Sequence, residues 1–168
     1  MKNCFLILPN QLFKDTVLLK EKFDSIYLLE EYLFFKQYKF HKQKILFHRL
    51  TIKKYIEYLI LNGIKVTYIK SNEIQSDIRN VIKELSTYDE VHLYHPHDNL
   101  IQKRLDQHDN VHYHNSPSFI NESEDIVEYF KDKKQPYKHH NFYQKQRKKL
   151  DILLDKSGQP VGGQWSFD

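Results

Sequence analysis

The chain has 168 residues, 26 Lys or Arg against 22 Asp or Glu, a net charge of +4, and 12 Tyr with 11 Phe. That length supports one sizeable core in which aromatic rings supply much of the volume, while the charge excess is too small to mark a dedicated nucleic-acid binder. No stretch approaches the uncharged apolar length of a membrane span, and Asn10, Gln11 and Lys14 follow the apolar start too soon for a secretory signal.

CFLILPN, at residues 4–10, is an unbroken apolar run ended by Pro9 and Asn10, the pattern of a strand buried on both faces of a parallel sheet. Its Cys4 is the single cysteine and reads as an inert buried thiol, which fits a reduced, cytoplasmic setting. Residues 12–23 hold enough apolar positions for a short helix or helical turn, and SIYLLEE at 25–31 is a second strand ending in two carboxylates. Residues 43–62 have the clearest helical spacing, with Gly63 as the expected C-cap. IKVTYIK is then a strand, 75–86 an amphipathic helix, EVHLYHP a strand, 97–107 a shorter helix capped by Asp98 or Asn99, NVHYHNS a fifth strand, and 122–131 another helix.

Strand and helix alternate five times with short connections. This predicts an α/β, Rossmann-like, five-stranded parallel sheet with helices on both faces over residues 1–131. Residues 132–168 form a second region: a basic linker, a helix over 141–154, and a tail that concentrates Gly158, Gly162 and Gly163 beside the lone Trp165. Open sheets of this kind bind ligands beyond the carboxyl ends of the strands, so the turns holding Pro9, Asn10 and Gln11, and Glu30 and Glu31, are the first places to look.

The turn after the first strand is PNQLF, and without glycine it builds neither a Walker loop nor a dinucleotide fingerprint. A ligand there is held by side chains such as Asn10, Gln11 and Glu30; alternatively Asn10 and Gln11 cap the following helix. A carboxylate from Glu30 or Glu31 at the sheet edge suits an N–H-rich heterocycle or a ribityl hydroxyl, or else an ion pair with Lys42 or Lys44. His92, His95, His97, His112 and His114 gather around strands four and five, but no zinc-ligand spacing is present and they read as strand and loop residues. No serine has a nucleophile-elbow context. Tyr137, Phe142 and Tyr143 are interleaved with basic residues over 131–149, a pattern for phosphate contacts with base stacking, or for a helix whose rings dock inward. The first alternative makes the chain a nucleic-acid-binding module dependent on Arg147, Lys148 and Lys149. An unrelated nucleotide-binding α/β enzyme is a further alternative, weakened by the absent glycine loop.

FLILPNQLF at 5–13, YLLEEYLFF at 27–35, YKFHKQKILFHR at 38–49 and LLDKSGQPVGGQWSFD at 153–168 run in one order across essentially the whole chain. Together they resemble the N-terminal part of the deoxyribodipyrimidine photolyase-related proteins, a photolyase and cryptochrome branch that includes iron-sulfur (6-4) photolyases. The resemblance implies an antenna-type domain that helps hold 6,7-dimethyl-8-ribityllumazine or a similar chromophore, with Leu8, Pro9, Asn10, Gln11 and Glu30 at the pocket. Asn10 stands where relatives often carry Asp. It also implies FAD, and in the iron-sulfur branch a cluster, in a helical C-terminal domain that would be this chain's covalent or separate partner. DNA is engaged by the full-length protein and no membrane is involved. With one cysteine and an end at Asp168, the chain is expected to be a truncated form or natural fragment that does not repair DNA by itself, with Gly162 and Gly163 at an interdomain junction, Trp165 and Phe167 as anchors, and Trp165 poorly packed.

Overall fold

A computed structural model describes residues 1–166 as two compact units, Met1–Ile120 and Asn121–Asp168. The division precedes the change of composition at residue 131, so the helix at Ser123–Phe130 lies in the second unit.

The first unit contains β1 (Asn3–Ile7), β2 (Ser25–Leu29), α1 (Tyr32–Phe35), α2 (Lys42–Leu61), β3 (Thr67–Ile69), α3 (Ile78–Leu85), β4 (Glu90–Tyr94), α4 (Asn99–Leu105) and β5 (Val111–His114). All five strands are parallel, in the order β3-β2-β1-β4-β5. The expected fold class is therefore observed. Because successive β1 residues face opposite sides, Cys4, Leu6 and Leu8 join α3 and α4 residues such as Ile78, Ile82, Ile101 and Leu105 in one core. Phe5 and Ile7 join Ile52, Tyr55 and Leu59 of α2 in the other. The apolar run in β1 is explained by this two-sided burial.

Residues 12–23 supply only a single 3-10 turn, Val17–Leu19, whose N-cap is Thr16. α2 matches its periodicity, and Gly63 closes it at φ +79°, a conformation that favours glycine. α1 has no separate signal in the sequence: its four residues follow Glu31, whose carboxylate caps it.

The second unit holds α5 (Ser123–Phe130) and α6 (His139–Lys149). The predicted helix over 141–154 begins earlier and ends sooner, because the chain after Lys149 folds back onto Arg147. That guanidinium, 5% exposed, donates to the carbonyls of Ile152, Leu153 and Trp165. Asp151 and Leu153 adopt left-handed φ values of 53° and 52° to make the turn, and Leu154 bridges Pro160. Gly162 at φ 88° and Gly163 at φ 77° then continue it, which accounts for glycine where a side chain is strained. Trp165 is half-buried with Arg147 and Lys148 over its ring at 5.3 and 5.1 Å. The expectation of a poorly packed Trp165 is thereby overturned, since the folded tail gives its ring two cationic neighbours. Phe167, expected as a second anchor, lies outside the described residues.

Candidate functional site

The strand order reverses at β1, whose neighbours are β2 and β4. The crevice beyond its carboxyl end is therefore walled by the turns after β1 and β4, not after β1 and β2 alone. The β1 turn is tied down by hydrogen bonds. Gln11 N donates to Leu8 O at 3.0 Å, and Tyr55 and Tyr58 hydroxyls donate to the carbonyls of Phe13 and Lys14 at 2.9 and 3.0 Å. The Tyr94 hydroxyl accepts from Val17 N at 2.7 Å and donates to Thr16. Three tyrosines thus hold a loop whose regular structure is limited to the Val17–Leu19 turn.

Asn10 and Gln11 do not cap the following helical turn. Gln11 is 2% exposed, and its Nε2 donates to the carbonyls of Tyr94 at 2.8 Å and His95 at 3.3 Å. Two carbonyl partners require the NH2 group on that side. Oε1 is left buried without a hydrogen-bonding partner, at a cost of about 1–3 kcal/mol unless something donates to it. Gln11 lines a cavity of about 310 Å³ at this crevice, shared with Asn10, Phe13, Phe34, His95 and His97, at the lower end of the roughly 300–1,000 Å³ range of ligand pockets.

The cavity lining combines polar and aromatic side chains. Ser116 and Ser118 join it from the segment after β5 with Phe119; His97 packs on Phe119 at 4.0 Å between ring centres and on His95 at 4.7 Å. His97 sits at φ +50°, and its pKa is lowered by burial and by His95, so the neutral ring is favoured. Asn10 is exposed and also borders a second, more apolar groove of about 640 Å³ beside α2, with Pro9, Phe13, Phe47, Tyr55 and Tyr58.

Leu8 is fully buried behind this wall, in the α3 and α4 core. Glu30 is turned elsewhere. Its carboxylate accepts from Arg49 Nε at 2.8 Å and Nη2 at 3.0 Å, from Ser71 N at 2.9 Å and from the Tyr68 hydroxyl. Four donors saturate its four lone-pair positions. Burial pushes the Glu30 pKa up, but the Arg49, Tyr68 and Ser71 hydrogen bonds outweigh it and bring it to about 2. The salt-bridge partner is Arg49, rather than Lys42 or Lys44; Lys44 lies over the Phe40 ring instead. Adjacent Glu31 is fully buried, accepts from Leu33 N at 2.6 Å and Ile78 N at 3.4 Å, and is raised by burial to about 7.

In the second unit Arg147 is occupied by carbonyls, Lys149 donates to Asp125 at 2.6 Å, and Lys148 lies over Trp165. Among the described residues no group of three His, Cys, Asp or Glu is placed to hold a metal ion, and no helix is long and apolar enough to cross a membrane.

The structure thus brings Asn10 and Gln11 together at one cavity and Pro9 and Asn10 at the neighbouring groove, with Leu8 and Glu30 behind. Sequence reasoning missed Phe34, Ser116, Ser118, Phe119 and the Arg49–Tyr68–Ser71 cradle. His95 and His97 were visible as a histidine cluster, but their place beside Gln11 depends on β4 pairing with β1, which no local pattern encodes.

Residues 5–168 match the family described as deoxyribodipyrimidine photo-lyase-related protein. The chain is also 29% identical over 182 residues to Uncharacterized protein R852 of Acanthamoeba polyphaga mimivirus, an alignment covering 100% of this chain and 92% of that one.

Proposed function

The chain belongs to the deoxyribodipyrimidine photo-lyase-related protein family, and from that premise we propose that it is the antenna-chromophore-binding part of a light-dependent flavoprotein. The supporting observation is that Gln11, whose Oε1 is buried without a partner, lines the cavity where the strand order reverses. A small shift of this side chain would present the unpaired acceptor to a ligand N–H, which would recover the lost hydrogen bond. The turn at PNQLF offers no glycine cradle for a pyrophosphate, which favours a ligand gripped through its ring.

A ribityllumazine fits these groups. Its lactam N–H suits Gln11 Oε1, its hydroxyls suit Asn10, Ser116 and Ser118, and its planar ring suits a wall of Phe34, His97 and Phe119. When bound, such a chromophore would supply absorption of near-ultraviolet or blue light, with the excitation going to FAD. In this reading Glu30 is a positioning residue: its saturated carboxylate holds Arg49 and the β3 end in place, and it does not touch the chromophore. FAD chemistry, DNA repair or light signalling would belong to a helical domain that this chain serves.

Spectroscopic titration with 6,7-dimethyl-8-ribityllumazine or FMN tests the reading. Saturable binding, lost in Gln11→Met and weakened about tenfold in Asn10→Leu by loss of roughly one good hydrogen bond, is expected. A flat titration by both absorbance and calorimetry contradicts it.

A further inference from the structure

The second unit has a concavity of about 280 Å³ whose lining combines rings and cations. Tyr129 and Phe130 at the end of α5 line it with Tyr137, Lys133, Lys134, Lys138 and Asn141. The rings are mutually braced: Phe130 lies 4.9 Å from Tyr137 and 5.5 Å from Phe142, and Tyr129 lies 4.9 Å from Phe142, all between ring centres. Tyr137 is 50% exposed, which leaves ring surface open to a partner.

The charge is equally one-sided. Among the described residues no carboxylate lines the concavity, and none of these three lysines forms an ion pair. Arg147 is engaged by backbone carbonyls, Lys149 by Asp125 and Lys148 by the Trp165 ring, while Lys133 lies over the Tyr129 ring of the concavity at 4.2 Å. The three cations at the end of α6 are thus occupied, whereas Lys134 and Lys138 beside Tyr137 form no ion pair.

We infer that this concavity is a contact site for single-stranded nucleic acid, with a base stacked on Tyr137 and the flanking phosphates held by Lys133, Lys134 and Lys138. An exposed ring beside cationic side chains supplies the two components such contacts require. The site lies in the other unit from the chromophore crevice and does not depend on it. It also moves the nucleic-acid contact from Arg147, Lys148 and Lys149 to residues that the fold leaves available.

Fluorescence anisotropy of a labelled oligo-dT with the full chain tests it. Three phosphate contacts on a single strand, at about 0.7 each, predict that log affinity falls with log salt at a slope near −2. Replacing Lys133, Lys134 and Lys138 together by Ala should abolish that slope, whereas replacing exposed Lys36, Lys39 and Lys53 should leave binding intact. Tyr137→Ala should weaken binding about tenfold or more, and Tyr137→Phe should preserve it, because stacking needs only the ring. No measurable binding at about 50 mM salt, equal losses from both lysine triples, or tighter binding to phosphatidylserine vesicles than to the oligonucleotide would each overturn the assignment.

Discussion

Glu30 and Glu31 are adjacent, both buried, and driven in opposite directions by their neighbours. Glu30 is lowered from an ordinary value of 4.5 to about 2, so its ionisation stabilises the fold above about pH 4.5 and that contribution is lost as pH falls towards 2. Glu31 is raised from 4.5 to about 7, so its contribution is full below about pH 4.5 and is lost as pH rises through 7. Glu31→Gln should therefore lose stability relative to the native chain more at pH 4.5 than at pH 8, as read by urea denaturation; a difference independent of pH would refute the assignment. The Glu30–Arg49 pair is asymmetric as well, with side-chain exposures of 1% and 46%. Arg49→Met strands a buried carboxylate and should cost about 3–4 kcal/mol, while Glu30→Gln leaves a guanidinium that water can reach and should cost about 2 kcal/mol. Equal costs, measured at pH 7, would show that Arg49 is not the group neutralising Glu30.

The elements differ in what holds them. α2 is fixed by its apolar stripe: Ile52 and Leu59 are fully buried, so Ile52→Ala should destabilise the first unit by about 2–5 kcal/mol, against about 0.5 kcal/mol or less for the exposed neighbour Lys53→Ala. The segment after α6 is held by one side chain instead. Arg147→Ala removes the common donor to the carbonyls of Ile152, Leu153 and Trp165 and should cost the second unit about 2–4 kcal/mol. Amide exchange should then rise at Val161, whose N–H is bonded to Leu153 O, without matching acceleration in β1. Unchanged exchange would mean that the turn stands without Arg147. These contrasts explain what the sequence showed. Strands and the long helices declare themselves by apolar runs and periodicity, whereas α1 and the last helix boundary are set by Glu31 and Arg147, single side chains whose targets are known only once the chain is folded.

In the whole molecule the parallel sheet and its two-sided core were legible, because Phe5 and Ile7 on one face and Cys4, Leu6 and Leu8 on the other leave no polar side to β1. The site was legible only in part. Asn10 and Gln11 were marked by the strand end and the absence of glycine, but Glu30 showed only that a carboxylate was pinned, not that Arg49, Tyr68 and Ser71 had filled it. Nor could the turns after β4 and β5 be placed opposite Gln11 before the strand order was known. The crevice at the reversal of strand order is proposed to hold an antenna chromophore through Gln11. The most direct measurement is a fluorescence titration of 6,7-dimethyl-8-ribityllumazine into the full chain, run beside Gln11→Met and Glu30→Gln at a pH and temperature where all three are folded. Saturable binding to the native chain, loss of binding in Gln11→Met, and retention in Glu30→Gln are predicted. Binding that survives Gln11→Met, or none to the native chain, would contradict the claim.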